Sequence, residues 1–169
     1  MELQIRTARR EDEDDLVALE LAVWSPETTP APRVTEPMPF FDGPRTPDRT
    51  FVATSGDRIV GHVLVGAGHP MPSHGHVAFL RGLSVDPAEQ GRGIAKRLVA
   101  HALGELGRRG AVKVRSRVLS TNPASLAVHR ACGFVEEGRL VGEFRIEPIG
   151  AVDDVLLAYW FDEPAQPRR

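Results

Sequence analysis

Between Leu83 and Leu98 the chain reads Leu-Ser-Val-Asp-Pro-Ala-Glu-Gln-Gly-Arg-Gly-Ile-Ala-Lys-Arg-Leu, a run whose types and spacing suit an anionic ligand. A strand that ends at Asp86-Pro87 passes into a turn of small residues and then into a helix, because proline cannot continue a strand ladder. The start of a helix offers unpaired N–H groups and the positive end of its dipole, which together suit a phosphate. Glycine at 91 and 93 lets the backbone approach phosphate oxygens, and Arg92, Lys96 and Arg97 add positive charge. The other reading is a tight connection in which the glycines serve geometry alone. The usual nucleotide signatures are absent: there is no GxxxxGK[ST], and Lys96 stands where GxGxxG needs its third glycine.

A second segment, Asn122-Pro123-Ala124-Ser125-Leu126-Ala127-Val128-His129-Arg130-Ala131-Cys132-Gly133-Phe134, specifies a short helix by its ends. Asparagine is a good N-cap, proline suits the first helical position, and Gly133 stands where the helix should stop. One helical turn separates Ser125 from His129, so both can face one ligand. Glu143, Asp153 and Asp154 are candidate bases, each read more readily as a solvated or turn residue. His69, His74 and His76 lack a ligand-like spacing and read as a polar loop, so no metal site is expected. Cys132 lacks a base partner and reads as packing, as do Trp24 and Trp160, which serve as core or interface anchors.

The elements that must position these groups follow from apolar period. Ile94, Ala95, Leu98, Val99, Ala102, Leu103 and Leu106 form one stripe, predicting a helix over about 91–109. Before it come a strand at Ile5–Ala8, an acid-started helix through Leu16 to Val23, and a hairpin of 50–54 and 58–65 around Ser55-Gly56-Asp57. A strand over 76–85 contains Gly82, which predicts a bulge or a close backbone approach. After it come a strand at 112–119, a helix at 123–131, and strands at 134–146 and 154–161. Residues 25–49 hold seven of the fourteen prolines and form a long loop, either a place for substrate contact or merely disordered; 163–169 read as a frayed tail. This order predicts a mixed α/β sheet with at least one parallel crossover.

Composition limits the partners. The 169 residues fit one domain spanning 1–169, and 21 basic against 23 acidic residues argue against a broad nucleic-acid surface. A single cysteine permits a reducing compartment, and no apolar run suits a leader or a membrane span. The expectation is cytoplasmic, with neither a nucleic-acid nor a membrane partner. The apolar run Val155-Leu156-Leu157-Ala158-Tyr159-Trp160 suits a homodimer or core burial equally.

The Gln-x-x-Gly-x-Ala of Gln90, Gly93 and Ala95, with Leu83-Ser84-Val85-Asp86-Pro87 before it, resembles the acyl-CoA motif of the GNAT superfamily of N-acyltransferases. Asn122, Ser125, Gly133 and Phe134 match the family's Asn-x-x-Ala/Ser-x-x-x-Tyr-x-x-x-Gly-Phe segment in register, with His129 in the tyrosine position. The early strands also resemble the family's, so the likeness covers most of the chain outside 25–49 and the tail. It implies an α/β (α+β) fold: a mixed, mostly antiparallel sheet of about six to seven strands with a splayed central pair, flanked by about four helices. It implies acetyl-CoA as co-substrate and direct attack by a primary amine on the acetyl carbonyl, the acceptor being a small molecule or a peptide or protein amine. By the same resemblance, Leu83, Ser84 and Val85 would line the pantetheine, and Gln90, Gly91, Arg92, Gly93, Ile94, Ala95 and Lys96 the pyrophosphate. Asn122, Ser125 and His129 would complete the cofactor side, with His129 as an acid toward the leaving thiolate or as a polar wall beside a water. The general base has no assignment, since Arg81 is the only ionisable residue between Val77 and Val85. The missing base and tyrosine keep open a non-catalytic acyl-CoA-binding or sensing module; a nucleotide-binding regulator is a third reading.

Overall fold

The computed structural model describes residues 3–36 and 38–161; the tail at 163–169 lies outside them. In chain order the elements are β1 (Leu3–Thr7), α1 (Glu13–Val23), β2 (Thr50–Ser55), β3 (Arg58–Ala67) and β4 (Val77–Val85). After these come α2 (Ile94–Arg108), β5 (Lys113–Leu119), α3 (Pro123–Ala131), β6 (Val135–Ile146) and β7 (Gly150–Trp160). The seven strands form one sheet in the order β1-β2-β3-β4-β5-β7-β6. Every pairing is antiparallel except β4 with β5. The expected mixed, mostly antiparallel sheet is therefore present, with three α-helices among the described residues and several short 3-10 turns.

The central pair is splayed. β4 and β5 are joined through Val77–Lys113, Ala78–Val114 and Phe79–Arg115, and their pairing stops there. From Leu80 onward, β4 keeps β3 as a partner and has no partner on its β5 side. Gly82 forms the bulge its position in the strand suggested: Leu64 pairs with Arg81 and Val63 with Leu83, which leaves Gly82 (φ +48°) as the extra residue. Such a bulge bends and twists its strand, here away from β5.

Alternation along the strands builds two cores, one on each face. Val60, Val63, Val65, Ala78, Leu80, Val114, Val118, Val155 and Leu157 face α2 and α3, whose Ile94, Leu98, Val99, Ala102, Leu103, Leu106 and Leu126 close the larger core. Val155, Leu157 and Ala158 are buried in the sheet, which accounts for the apolar run in β7. Val52, Ile59 and Leu64 point the other way, against Leu16 and Leu19 of α1 and Phe40 and Phe41 of the proline-rich loop. α2 begins at Ile94 rather than 91 because Gly91 and Gly93 sit at φ +78° and +76°, outside helical geometry.

The acids at the head of α1 do more than face water. Asp12 is buried and accepts bonds from the Arg6 guanidinium at 2.7 and 2.8 Å and from the Arg9 N–H at 2.7 Å. The Arg6 hydrogen bond holds the Asp12 carboxyl below the usual carboxylate range. Glu13 accepts the backbone N–H groups of Phe40 and Phe41, tying the long loop to α1. At its other end the loop meets Thr121, whose hydroxyl donates to Glu27 O at 2.8 Å. The loop is thus anchored at two points.

Leu98 is wholly buried at the centre of the larger core. Leu98→Ala is expected to lower unfolding free energy by about 2–5 kcal/mol, through lost transfer energy and the cavity left behind. A urea titration with an unchanged m-value checks it; a loss below about 1 kcal/mol contradicts the packing described.

Candidate functional site

β4 and β5 run parallel, so their carboxyl ends lie on one side of the sheet, each followed by a helix. The mouth of the splay therefore receives the starts of α2 and α3, the usual place for a ligand in such a crossover. A chain of small contacts shapes the turn into α2. Asp86 N–H bonds Val60 O (2.9 Å), and its carboxylate accepts Ala88 N–H (2.9 Å) and Arg58 (3.0 Å). Buried Glu89 is paired with both Arg58 and Arg92. Gly91 and Gly93 follow, in a conformation that L side chains rarely adopt. Arg97 N–H makes the first intrahelical bond, to Gly93 O at 3.1 Å, so the amides of Ile94, Ala95 and Lys96 have no partner within the helix.

The three nearby cations divide. Arg92 is engaged by Glu89, and Arg97 reaches back to donate to Leu3 O at 2.9 Å. Among the described residues Lys96 has no carboxylate partner and stays exposed beside the turn. Gln90 donates from Nε2 to Val85 O at 3.3 Å, so the Val85 carbonyl is already bonded, whereas Leu83, Ser84 and Val85 lie half-buried along the splay. The structure thus brings 83–85 and 90–96 to one edge of the opening. Electrostatics of the turn rest on backbone amides and Lys96 more than on Arg92.

α3 spans Pro123–Ala131 as its sequence specified, with Asn122 Oδ1 accepting Ser125 N–H at 3.0 Å. α3 packs on α2, with Cys132 Sγ 3.9 Å from Lys96 O. Burial pushes the Cys132 thiol up, which suits packing and not nucleophilic attack. His129 is 1% exposed, and its ring lies edge-on to Phe134 with centroids 5.0 Å apart. Its Nδ1 lies 2.8 Å from Ser125 O, so Nδ1 carries the proton and donates it to that carbonyl. Nε2 is buried without a partner. Burial pushes the imidazole below its ordinary value, and the bond to Ser125 O only partly opposes this. The resting ring is therefore neutral at pH 7, with its free nitrogen a lone-pair acceptor.

The C-terminal carboxylates are placed as follows. Asp153 accepts Gly142 N–H (2.9 Å) and Arg139 (3.3 Å), stapling the β6–β7 hairpin. Asp154 is buried, not solvated, and is held by Arg117, which also lies 3.8 Å from Glu143. His74 Nδ1 accepts the His69 N–H at 3.0 Å, closing the turn before β4.

One carboxylate beside the splay was not read from sequence. Glu20 of α1 accepts His62 Nε2–H at 2.8 Å and the Ser84 hydroxyl at 3.0 Å, with Arg45 at 3.8 Å. Burial opposes its ionisation, but the bonds from His62 and Ser84 and the charge of Arg45 outweigh it and hold the carboxyl below its usual range. His62 is fully buried beneath the Gly82 bulge, edge-on to Phe40. Two signals were available: Glu20 falls four residues after Leu16 on the inward stripe of α1, and His62 interrupts an apolar strand. Glu20 and Ser84 meet on the α1 face, opposite α2 and α3.

A sequence profile of the acetyltransferase (GNAT) family matches residues 14–134. A mycothiol acetyltransferase of Rhodococcus jostii is 37% identical over 87 residues, which is 52% of this chain and 26% of that protein. A spermidine N(1)-acetyltransferase of Vibrio cholerae is 37% identical over 76 residues, 44% of this chain and 43% of that protein. The chain spans less than half the length of each of these two curated relatives. The structure of yncA from Salmonella typhimurium, solved with its cofactor acetyl-CoA, superposes with a TM-score of 0.76 at 17% identity, covering 99% of each chain.

Because the folded His129 resists protonation, its stabilising contribution is full above the unfolded-state value near 6.5 and is lost as pH falls through the lower folded-state value. Unfolding free energy should therefore fall as pH drops below about 6.5. His129→Gln should flatten that slope, read from urea midpoints across the acidic range; an unchanged slope contradicts the buried neutral ring.

Proposed function

The chain belongs to the acetyltransferase (GNAT) family, and on that premise we propose that it transfers an acetyl group from acetyl-CoA to a primary amine. The observation that carries this reading is the splay itself, an opening between β4 and β5 whose mouth holds a helix start with free amides. Residues Gly91 to Lys96 would hold the pyrophosphate through those amides, with Lys96 adding charge. Leu83, Ser84 and Val85 would run beside the pantetheine, and Asn122, Ser125 and His129 would bound it from α3. Acetyl-CoA supplies the activated acyl carbon; the crystallised neighbour with that cofactor shares the fold and supports its choice.

The amine would approach from the α1 face, where Glu20 supplies the carboxylate that the β4 sequence lacks. Its lowered value keeps it ionised at neutral pH, suited to drawing a proton from the ammonium through water rather than by a strong direct pull. The neutral amine then attacks the carbonyl, and a backbone N–H on the open edge of β4 holds the oxyanion. The neutral His129 does not serve as a standing imidazolium. It would take at Nε2 the proton that the attacking nitrogen sheds from the tetrahedral intermediate and pass it to sulfur as the C–S bond breaks.

A thiol-release assay against a panel of small amines, amino acids and peptides tests the reading. Amine-dependent release of CoA thiol is the expected outcome. Tight CoA binding with no amine-dependent release would instead leave an acyl-CoA-binding module. Glu20→Gln is expected to lower kcat by about 10- to 100-fold with the KM for acetyl-CoA nearly unchanged, the scale of a lost acid–base group. His129→Phe should lower kcat in the same sense, and wild-type turnover in that variant would remove the proton-transfer role.

A further inference from the structure

The α1 face of the sheet continues past α1 onto β4, β5 and β7, where its side chains are charged. Val114, Ser116 and Val118 are buried on the α2 side, so Lys113, Arg115 and Arg117 point to this face. Phe79 and Arg81 share it, since Ala78 and Leu80 belong to the α2 core and Arg81 lies beside Leu64 of the α1 core. Two of these four cations are neutralised: Lys113 by Glu137, and Arg117 by Asp154 and Glu143. Arg81 and Arg115 are different. Among the described residues neither has a carboxylate partner.

Both are nonetheless held in place. Their guanidinium carbons lie 5.3 and 5.7 Å from the centre of the Phe79 ring, so one aromatic carries two cations. Gly66 leaves room for Arg81 to lie across β3; a Cβ there would stand 3.4 Å from Arg81 Nε. Phe79 and Arg115 are also the last pair before β4 and β5 part. The two free guanidinium groups therefore stand at the apex of the splay, on the same face as Glu20. Like charges are brought together here without an internal counter-ion, which favours an external one.

We infer that the acceptor is an amine that also carries a small oxyanion, a carboxylate or a phosphonate-type group, bound by Arg81 and Arg115. This rests on the acetyl-transfer reading for the position of the amine, and on the two arginines alone for the anion. Guanidinium pairs recognise such oxyanions through forked, charge-assisted hydrogen bonds, and stacking on Phe79 orders them in advance. The same charges disfavour a polyamine.

Matched amines test it: β-alanine against β-alaninamide, aminoethylphosphonate against ethanolamine, and spermidine as the polycation. The wild-type protein should prefer each anionic member by roughly tenfold or more in kcat/KM, with the difference lying in KM, as expected for a charge-assisted contact. The size of the preference in the carboxylate and phosphonate pairs tells which oxyanion is the better fit. Arg81→Gln and Arg115→Gln should each bring that ratio toward one by raising the KM of the anionic amine, with the KM for acetyl-CoA as the control for an intact cofactor side. Equal use of both members of each pair, a preference for spermidine, or a ratio unmoved in both variants overturns the inference. If no amine releases thiol, the transfer reading fails on its own. Saturation-transfer NMR on the CoA-loaded protein then decides the anion site. Binding of the anionic amines that is lost in the doubly substituted protein supports it, and binding that is equal in both overturns it.

Discussion

The structure depends on three residue pairs. β4 and β5 hydrogen-bond through Val77, Ala78 and Phe79 and then part, and that limit on pairing creates the slot, its apex and its mouth. An open strand edge is normally a liability, since it presents unpaired N–H and C=O groups. Here the edge of β4 beyond Phe79 stays open toward the slot, with α2 packed across one face of the strand. The bulge at Gly82 holds the separation, because the extra residue turns β4 while its pairing with β3 continues on either side. α2 on one face and α1 on the other then fix the strand in its bent course.

The two faces of the sheet have different chemistry as a result. On the α2 and α3 face lie backbone amides, a buried neutral histidine and an apolar core, a setting for a long ligand held by its main-chain contacts and phosphates. On the α1 face lie Glu20, Ser84, His62 and the free arginines, a setting of formal charges. Partners, not burial, set the two histidines apart, since each is almost wholly buried. His129 donates to the Ser125 carbonyl and packs on the Phe134 edge, whereas His62 donates to the Glu20 carboxylate.

Much of this was legible in the chain. The glycine turn, the Asn122 cap, the end at Gly133 and the bulge at Gly82 are local chemistry, decided by φ angles and capping within a few residues, so the sequence carries them directly. Hydrophobic period located α2 and the strands for the same reason. Pairing partners were harder to read. That Arg92 is neutralised by Glu89, that Gln90 bonds Val85 O, and that Asp154 is buried against Arg117 depend on side-chain directions which spacing does not reveal. Glu20 was hidden because its partners, His62 and Ser84, lie 42 and 64 residues away. The acids at the head of α1 suit a helix start by type, yet Asp12 and Glu13 also organise Arg6 and the Phe40–Phe41 segment, which spacing does not show.

The proline-rich loop is pinned by Glu13 near one end and by Thr121 near the other, and it enters the smaller core only through Phe40 and Phe41. None of its anchors touches the core beneath α2. Its last residues meet the end of α2, where Arg109 donates to Asp48 O at 3.3 Å. Between residues 28 and 39 no hydrogen bond or ion pair to α2 is present among the described residues, so substitutions there and in α2 should have nearly independent energetic effects. The stretch between the anchors can therefore be lengthened or shortened with little disturbance to α2 and the glycine turn that precedes it.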